Sequence, residues 1–299
     1  MKNNNPKAKR KFSPKSLFWI ILAAGLVWIL FWVFRPQAVL VEIASVTQGL
    51  YQQSILEEGK TRVKESYQVI SPVSGNLRRV ELDPGDSVQA GDLLAIVDWP
   101  RPREIRAPSS GKVLRIYRES EGPIQRGDTI LEIANPNTLE VVAEVLTEDA
   151  VSIPPHASVL IEDWGGCDTL RGKVRLVEPG AFTKVSALGI EEQRVKVIMD
   201  FPLPSEQCGR LADAYRVYCR IITFESNQAL TIPSGALFRD KKDWAVFRVV
   251  KDKAQKTPVK LTRRNPEQAM IESGLQKGDQ VIVYPGDDVK DGTRVKSMF

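Results

Sequence analysis

The residues that could do chemistry are few and lie far apart in the sequence. His156 is the only histidine, which excludes a metal site built from several histidines and leaves one candidate base for a catalytic triad. It stands in the segment IPPHAS, a turn before a predicted strand, where a solvated histidine is expected. Ser74, Ser110 and Ser234 each precede a glycine, but none occupies the G-x-S-x-G pattern of a nucleophile elbow.

Acidic pairs and cofactor motifs add no catalytic centre. Glu57-Glu58, Glu191-Glu192 and Asp287-Asp288 could act as acid and base, but adjacent carboxylates are typical of a solvated surface. The sequence contains no P-loop, no dinucleotide-binding pattern and no C-x-x-C. We therefore expect no catalytic, cofactor-binding or metal-ligating residue, no cofactor, and a protein that is not an enzyme.

The three cysteines, Cys167, Cys208 and Cys219, do not form a disulfide framework, since their number is odd and their spacing irregular. A bridge between Cys208 and Cys219 is open in an oxidising compartment. The alternative, that these are small core or loop residues, is also open and is the more ordinary one.

The net charge of +5 is concentrated at one end of the chain. Residues 1–15 contain six basic and no acidic side chains, whereas the rest of the chain is nearly balanced. No basic face with interleaved aromatic residues follows, so the sequence does not predict nucleic-acid binding.

An apolar run follows the basic segment. Residues 17–34 read LFWIILAAGLVWILFWVF and contain no charged side chain. A helix of that length spans roughly 27 Å, close to the hydrocarbon thickness of a bilayer. The basic residues before the run predict a cytoplasmic N-terminus, with the rest of the chain on the outer side. A cleaved signal peptide is the competing interpretation, but the run is longer than a typical signal core and no small-x-small site follows it.

Beyond Pro36 the sequence is a series of short strands. Runs rich in β-branched residues alternate apolar and polar positions, as in 139–146 and 194–200, and are separated by turns with Gly, Pro or Asp. We predict a mainly β protein with two short helical segments, at Thr147–Val151 and in 181–192.

A sequence repeat with a period of thirty-six residues is the most informative feature. The segment SPVSG at 71–75 recurs as APSSG at 107–111, and Gly91-Asp92 recurs as Gly127-Asp128. One copy cannot bury its apolar face alone, so the two copies are expected to pack as a β-sandwich with a pseudo-twofold axis.

These residues carry a family resemblance. The repeated Pro-x-x-Gly start, the PGD turn at 84–86 and the Gly-Asp strands resemble the biotinyl/lipoyl fold. With the preceding apolar run and the later segments LTIPSGALF and GLQKGDQVIVYPGDD, the chain resembles a periplasmic adaptor subunit of the membrane fusion protein (HlyD-type) family. The resemblance implies a β-barrel domain and a β-rich membrane-proximal domain after the lipoyl-like β-sandwich.

The crossing between the two halves, VDWPRPREIRAP at 97–108, departs from both known uses of such a junction. A biotinyl or lipoyl carrier needs a lysine at the tip, but Pro100 stands there, and proline cannot be acylated. Most family members insert a long helical hairpin at this point, whereas this chain has only 99–104. Two explanations remain open: the member is naturally without a hairpin, or the hairpin was removed.

The resemblance implies a non-enzymatic adaptor of an efflux or secretion transporter. Its expected partner is an inner-membrane transporter of the RND or ABC type, with self-association into a ring; without a hairpin, contact with an outer-membrane channel is not predicted. The expected location is the bacterial inner membrane, with a single pass and the bulk in the periplasm. The alternatives are a membrane-tethered biotinyl or lipoyl carrier and an envelope interaction module without a pump.

The resemblance and the apolar run together predict a division into domains. It comprises a cytoplasmic basic arm (1–16), a transmembrane helix (17–34), N-terminal strands contributing to the membrane-proximal and barrel domains (35–69), a lipoyl-like domain (70–134), a β-barrel domain (135–228) and a membrane-proximal domain (229–299).

Overall fold

The computed structural model describes residues 38–204 and 210–298, and in this part the chain is mainly β. One short α-helix, α1 (Thr147–Ala150), confirms the first of the two expected helical segments. No helix in 38–204 or 210–298 has the length and apolar character needed to cross a membrane. The predicted span at 17–34 lies outside the described residues.

The described chain forms two compact units. One contains 38–51 and 226–298, and the other lies within Gln52–Glu225. Strands β2 (Thr47–Val63) and β16 (Arg216–Pro233) each begin in one unit and continue into the other.

Six strands of the Gln52–Glu225 unit form a closed barrel. The hydrogen-bonded order is β12, β13, β15, β11, β2 and β16, and β16 pairs back with β12. The strands not yet given bounds are β11 (Leu139–Leu146), β12 (Ser158–Glu162), β13 (Leu170–Val177) and β15 (Glu191–Asp200). Alternate side chains, among them Val141, Val197 and Ile221, fill the interior, as the strand period of two requires.

The chain leaves the barrel at the end of β2, forms a β-sandwich, and returns to the barrel at β11. The first half of the sandwich contains β3 (Ser66–Ile70), β4 (Gly75–Leu77), β5 (Ser87–Val88) and β6 (Leu93–Asp98). The second half contains β7 (Pro102–Arg106), β8 (Gly111–Ile116), β9 (Gly122–Ile124) and β10 (Thr129–Ala134).

The sheet topology confirms the pseudo-twofold relation. One sheet has the order β3-β10-β8-β5 and the other β7-β6-β4-β9. Moving each strand of the first sheet by the thirty-six-residue period gives its counterpart in the second sheet, in the same order. The inner faces bury one apolar core that includes Val97, Ile105, Ile130 and Ile133.

The other unit is built from β1 (Val39–Ser45), parts of β2 and β16, and six further strands. These are β17 (Phe238–Asp240), β18 (Asp243–Val250), β19 (Lys253–Arg264), β20 (Gln268–Ser273), β21 (Gln280–Val283) and β22 (Val295–Ser297). A 3₁₀ turn, Ser234–Ala236, follows β16. Strand β1 pairs antiparallel with β21 and parallel with β22, so the first and last described strands of the chain are neighbours.

Two local expectations are wrong. No helix forms within 181–192; instead β14 (Phe182–Val185) and the start of β15 form an antiparallel hairpin. The alternation of apolar and polar residues outweighs helical propensity there because it matches the ladder with β15. The alternating residues NLRRVEL at 76–82 predict a longer strand than the structure has, since β4 ends at Leu77. After Leu77 the chain turns away and bonds singly to two segments: Arg78 N–H donates to Ile96 O, and Val80 N–H donates to Glu119 O.

Candidate interaction surfaces

The crossing between the sandwich halves is a tight hairpin turn. Asp98 and Pro102 are the last partners of β6 and β7, and the N–H of Trp99 donates to the carbonyl of Arg101 at 3.2 Å. Pro100 therefore stands at the tip, as the sequence predicted. The Trp99 side chain is 63% exposed, so the tip presents an indole and two prolines to solvent. A turn of this size holds neither an attachment lysine nor a helical hairpin.

Charged side chains surround this turn. Arg78 binds both carboxylate oxygens of Asp98, at 2.8 and 2.9 Å, and this hydrogen bonding lowers the pKa of the Asp98 carboxyl. Arg101 and Arg103, on either side of Pro102, are exposed as well. An exposed indole amid guanidinium groups is a common composition for a contact surface, because both side chains bind well when desolvated.

An ionic network joins the barrel strands where the sandwich is inserted. Glu140, whose side chain is 3% exposed, lies between Arg62 and Arg175, with both pairs at 2.5 Å. Asp200 pairs with Lys64 at 2.9 Å and with Arg175 at 3.3 Å. A carboxylate as buried as Glu140 requires charged partners, so the network ties the end of β2 to the start of β11.

A second set of contacts fixes the sandwich to the barrel within the same unit. Arg115 on β8 pairs with Glu132 on β10 at 3.1 Å and also with Asp213, which precedes β16. Asp213 in turn accepts the N–H of Val63 at the end of β2, at 3.0 Å. Since Arg115 is shared between the two modules, the sandwich is held by side chains as well as by its two connections.

The β14–β15 hairpin carries exposed apolar side chains at its tip. Val185, Leu188 and Ile190 are 61%, 86% and 60% exposed. The tip is closed by hydrogen bonds from Ser186 N to Ile190 O and from Ile190 N to Ser186 Oγ. A cluster of aliphatic side chains on a projecting turn is typical of a protein contact site.

The candidate catalytic residues do not assemble into a site. His156 is exposed, with a φ of 58° in the turn before β12. Ser74 Oγ accepts the N–H of Arg126, Ser110 Oγ accepts that of Ala90, and Ser234 Oγ donates to Asn265 O. These hydroxyls therefore complete turns. Among residues 38–204 and 210–298 no group of three or more His, Cys, Asp or Glu side chains could hold a metal ion.

Two of the acidic pairs are involved in ion pairs. Glu57 and Glu192 both bind Arg194, at 3.3 and 2.8 Å, and burial raises the pKa of the Glu57 carboxyl. Glu58 lies 4.0 Å from Arg216. Asp287 and Asp288 are exposed. The Glu57 and Glu58 carboxylates are therefore held in ion pairs, half-buried at Glu57 and exposed at Glu58, and do not form an acid and base pair aimed at a common point.

The cysteines differ in state. Cys167 is disulfide-bonded, whereas Cys219 is a free and fully buried thiol inside the barrel. A Cys208 to Cys219 bridge is therefore excluded. Burial raises the pKa of the Cys219 thiol to about 12, so the thiol stays protonated and inert at neutral pH.

Residues 67–133 match the biotin/lipoyl domain family, described as "Biotin-requiring enzyme", and residues 229–297 match the family described as "YknX, C-terminal permuted SH3-like domain". The class of protein is therefore one that combines a lipoyl-like sandwich with an SH3-like terminal domain. A relative, the "Putative efflux system component YknX" of Bacillus subtilis, is 27% identical over 202 residues, which are 65% of this chain and 52% of the relative. The chain thus spans about half the length of this curated relative.

Solved structures show the same fold. MacA from Actinobacillus actinomycetemcomitans has a TM-score of 0.64 and 15% identity, covering 81% of this chain and 99% of MacA. A MacA-MexA chimeric protein with the Pseudomonas aeruginosa MexA α-hairpin domain has a TM-score of 0.59 and 14% identity, covering 81% and 99%. These structures show the fold alone; together with the two family matches and the efflux relative, they confirm the resemblance to the membrane fusion protein (HlyD-type) family. The efflux relative also supports the expectation that the chain is not an enzyme.

Two features of the barrel were not predicted from the sequence: the ionic network around Glu140 and the exposed tip of the β14–β15 hairpin. Glu140 and Arg175 are thirty-five positions apart, and only the strand register brings them together. The sequence shows that VSALGI at 185–190 is mostly apolar, but it does not show that the segment is exposed, because the same residues could also form a buried turn.

Proposed function

We propose that the protein is a non-enzymatic adaptor of an efflux or secretion transporter. Residues 17–34 anchor it in the bacterial inner membrane, with residues 1–16 in the cytoplasm and the bulk of the chain in the periplasm. Beyond the anchor, residues 35–69 contribute strands to the membrane-proximal and barrel domains, and the last strand to begin in this range, β3, joins the sandwich. Residues 70–134, 135–228 and 229–299 are the lipoyl-like, barrel and membrane-proximal domains.

The observation that carries the proposal is the nesting of the modules. The sandwich is inserted between β2 and β11 of the barrel, and β2 and β16 lead on to the SH3-like unit. The chain thus enters the barrel through β2, forms the sandwich, and leaves the barrel again through β16. We expect such nested modules to provide surfaces for protein contacts and no active site. The ionic network at Glu140 and the Arg115 contacts stiffen the insertion, as a protein that works by transmitting contacts requires.

The proposed partner is an inner-membrane transporter of the RND or ABC type, with copies of the chain associated in a ring. The efflux relative supports a transporter as partner. Because the crossing at Trp99 is a bare turn, we propose no contact with an outer-membrane channel. The exposed tip at Val185, Leu188 and Ile190 is the proposed point of contact with the transporter.

Crosslinking in native membranes tests this function. The unmodified chain should recover a transporter subunit, and Leu188→Asp should reduce the yield several-fold, because a charge at the tip opposes desolvation of an apolar contact. Leu203→Asp, at an exposed apolar site elsewhere, is the matched control and should retain the yield. Recovery of no transporter subunit by the unmodified chain would leave an envelope module without a pump as the better assignment.

A further inference from the structure

The two units differ in charge. Residues 38–51 and 226–299 contain fourteen Lys and Arg against ten Asp and Glu, whereas Gln52–Glu225 contains twenty-one against twenty-seven. The SH3-like unit is thus net basic and the other net acidic. Since the proposed membrane anchor directly precedes this unit in the chain, the position of its unpaired cations bears on contact with the membrane.

Four exposed cations gather where the described chain begins. Lys253 and Arg294 are bridge partners, and the Arg294 carbonyl accepts the N–H of Val39 at 2.9 Å. Lys296 is the strand partner of Leu40. The members of this group, which we call the basic cluster, are Lys251, Lys253, Arg294 and Lys296.

The basic cluster is not neutralised by neighbouring side chains. None of its four members has a recorded ion pair within the described residues, although seventeen ion pairs occur elsewhere in them. The one acidic residue in the same turn is Asp252, whose backbone carbonyl accepts the N–H of Val295 at 2.9 Å. Asp291, whose Oδ1 accepts the N–H of Lys256 at 2.8 Å, is the other carboxylate close to the cluster in the chain. Four cations beside these two carboxylates leave the cluster with a net positive charge.

Two apolar side chains accompany these cations. Leu40 and Met298 are each 58% exposed, and the N–H of Met298 donates to the carbonyl of Val41 at 3.1 Å. Exposed apolar side chains beside Lys and Arg form the composition that binds the headgroup region of an anionic bilayer.

Chain length places this cluster near the membrane. Ala38, the first described residue, lines the same surface hollow as Asp252 and Arg294. It stands four positions after Phe34, the last residue of the apolar run, and four residues reach at most about 14 Å. Because the headgroup region extends roughly 5–7 Å beyond the hydrocarbon core, the remaining gap is at most about one Debye length, roughly 8 Å at physiological ionic strength, so the charges can act on lipid headgroups.

We propose that the basic cluster binds the phosphate headgroups of anionic phospholipids at the outer face of the membrane in which residues 17–34 are anchored. This inference rests on the anchoring in the proposed function. The contact holds the SH3-like unit at the bilayer surface through charge as well as through the chain connection.

Hydrogen exchange of the full chain in lipid nanodiscs tests the inference. Discs of phosphatidylcholine alone are compared with discs that also contain phosphatidylglycerol. Peptides covering 249–254 and 293–298 should exchange several-fold more slowly in the anionic discs, because each cation near the anionic surface favours the bound state by roughly fivefold and the bound state shields these segments from water. About 0.5 M NaCl should abolish the difference, because it shortens the screening length.

A charge-matched pair of variants sharpens the test. The test variant replaces the basic cluster by glutamine and should exchange equally in both lipids: Lys251→Gln, Lys253→Gln, Arg294→Gln and Lys296→Gln. The control variant removes four exposed cations without recorded ion pairs from the other unit and should retain the lipid dependence: Lys60→Gln, Arg103→Gln, Lys112→Gln and Arg126→Gln. The salt dependence is measured on the unmodified chain, so it still tests the proposal if the test variant or the control variant fails to fold.

The outcomes separate this inference from the function on which it rests. Resistance of the protein to extraction from native membranes by carbonate reports on the anchor alone, and extraction would overturn the anchoring. If the protein resists extraction but exchange is the same in both lipids, lipid binding by the cluster is wrong while the adaptor function stands. Slower exchange only when a transporter is present would assign the cluster to an acidic protein surface and would also overturn the inference.

Discussion

The two halves of the lipoyl-like sandwich use one sequence pattern for two different connections. In one half β6 ends at Asp98 and the chain turns back through Trp99-Pro100-Arg101. At the equivalent place in the other half, β10 ends at Ala134 and the chain passes through Asn135-Pro136-Asn137 into the barrel. The proline is shared, whereas the tryptophan and arginine occur only on the side that faces solvent.

The turns that organise the two halves are the same in detail. Gln89 N–H donates to Asp92 Oδ2 at 2.7 Å, and Gln125 N–H donates to Asp128 Oδ2 at 3.0 Å. Gly91 N–H donates to Ala107 O, and the equivalent Gly127 N–H donates to Ser71 O. The Gly-Asp turns thus occur in both halves, whereas Trp99 occurs in only one, so we expect Trp99 to serve a contact and not the fold.

The largest expected effect is in the shared core. Leu94 and Ile130 occupy equivalent positions and are 3% and 0% exposed. Leu94→Ala and Ile130→Ala should each lower the free energy of unfolding by about 2 to 5 kcal/mol, because each leaves a cavity. Urea unfolding followed by pulse proteolysis measures this. If the losses caused by the two substitutions differ by more than about 2 kcal/mol, the two sheets contribute unequally to the stability of the sandwich.

The next effect is at the paired glycines. Gly91 and Gly127 both have a φ of 93°, a conformation that side chains with a Cβ rarely adopt. Gly91→Ala and Gly127→Ala should each destabilise the sandwich by about 1 to 2 kcal/mol in the same assay. Gly122→Ala is the control, since Gly122 has no positive φ and open space around it, and it should change stability little. A large loss at only one of the paired glycines would break the twofold comparison.

A small effect is expected at the exposed tip. Trp99→Asn introduces the residue type that stands at the equivalent Asn135, and it should change the free energy of unfolding by less than about 0.5 kcal/mol. Trp164→Asn is the contrast, because Trp164 is 8% exposed and its Nε1–H donates to Asp168 O at 2.7 Å; a loss of about 3 kcal/mol or more is expected there. A comparable loss at Trp99 would mean that the indole is part of the fold.

The smallest effect is a change in titration. Because Arg78 lowers the pKa of Asp98, the pair contributes to stability above the ordinary carboxyl pKa, and this contribution is lost as the pH falls through the lowered value. Arg78→Gln should raise the pKa of Asp98 toward its ordinary value, as measured by carboxyl ¹³C NMR. Arg79→Gln, whose partner is Glu119, should leave Asp98 unchanged. An unchanged pKa in Arg78→Gln would place the cause elsewhere.

Much of the fold could be predicted because the signals are local or repeated. The β-branched alternation in 139–146 and the thirty-six-residue repeat both depend on spacing within the chain. The helix expected in 181–192 was wrong because β14 is fixed by its ladder with β15, a contact that propensity does not contain. The surfaces were the least predictable feature. The exposure of Leu188 depends on which segments pack against it in the folded chain, and spacing within the sequence does not give this.

The sequence by itself determined the β character, the twofold sandwich, the position of Pro100 at the crossing and the lack of an attachment lysine there. These follow from residue type and period, which need no distant partner. Only the tertiary structure decided that Glu140 lies between two arginines, that Cys219 is buried in the barrel, and that the basic cluster lies beside the first described residue. Each of these depends on strand pairing between segments far apart in the chain, and pairing is set by the packing of the whole domain.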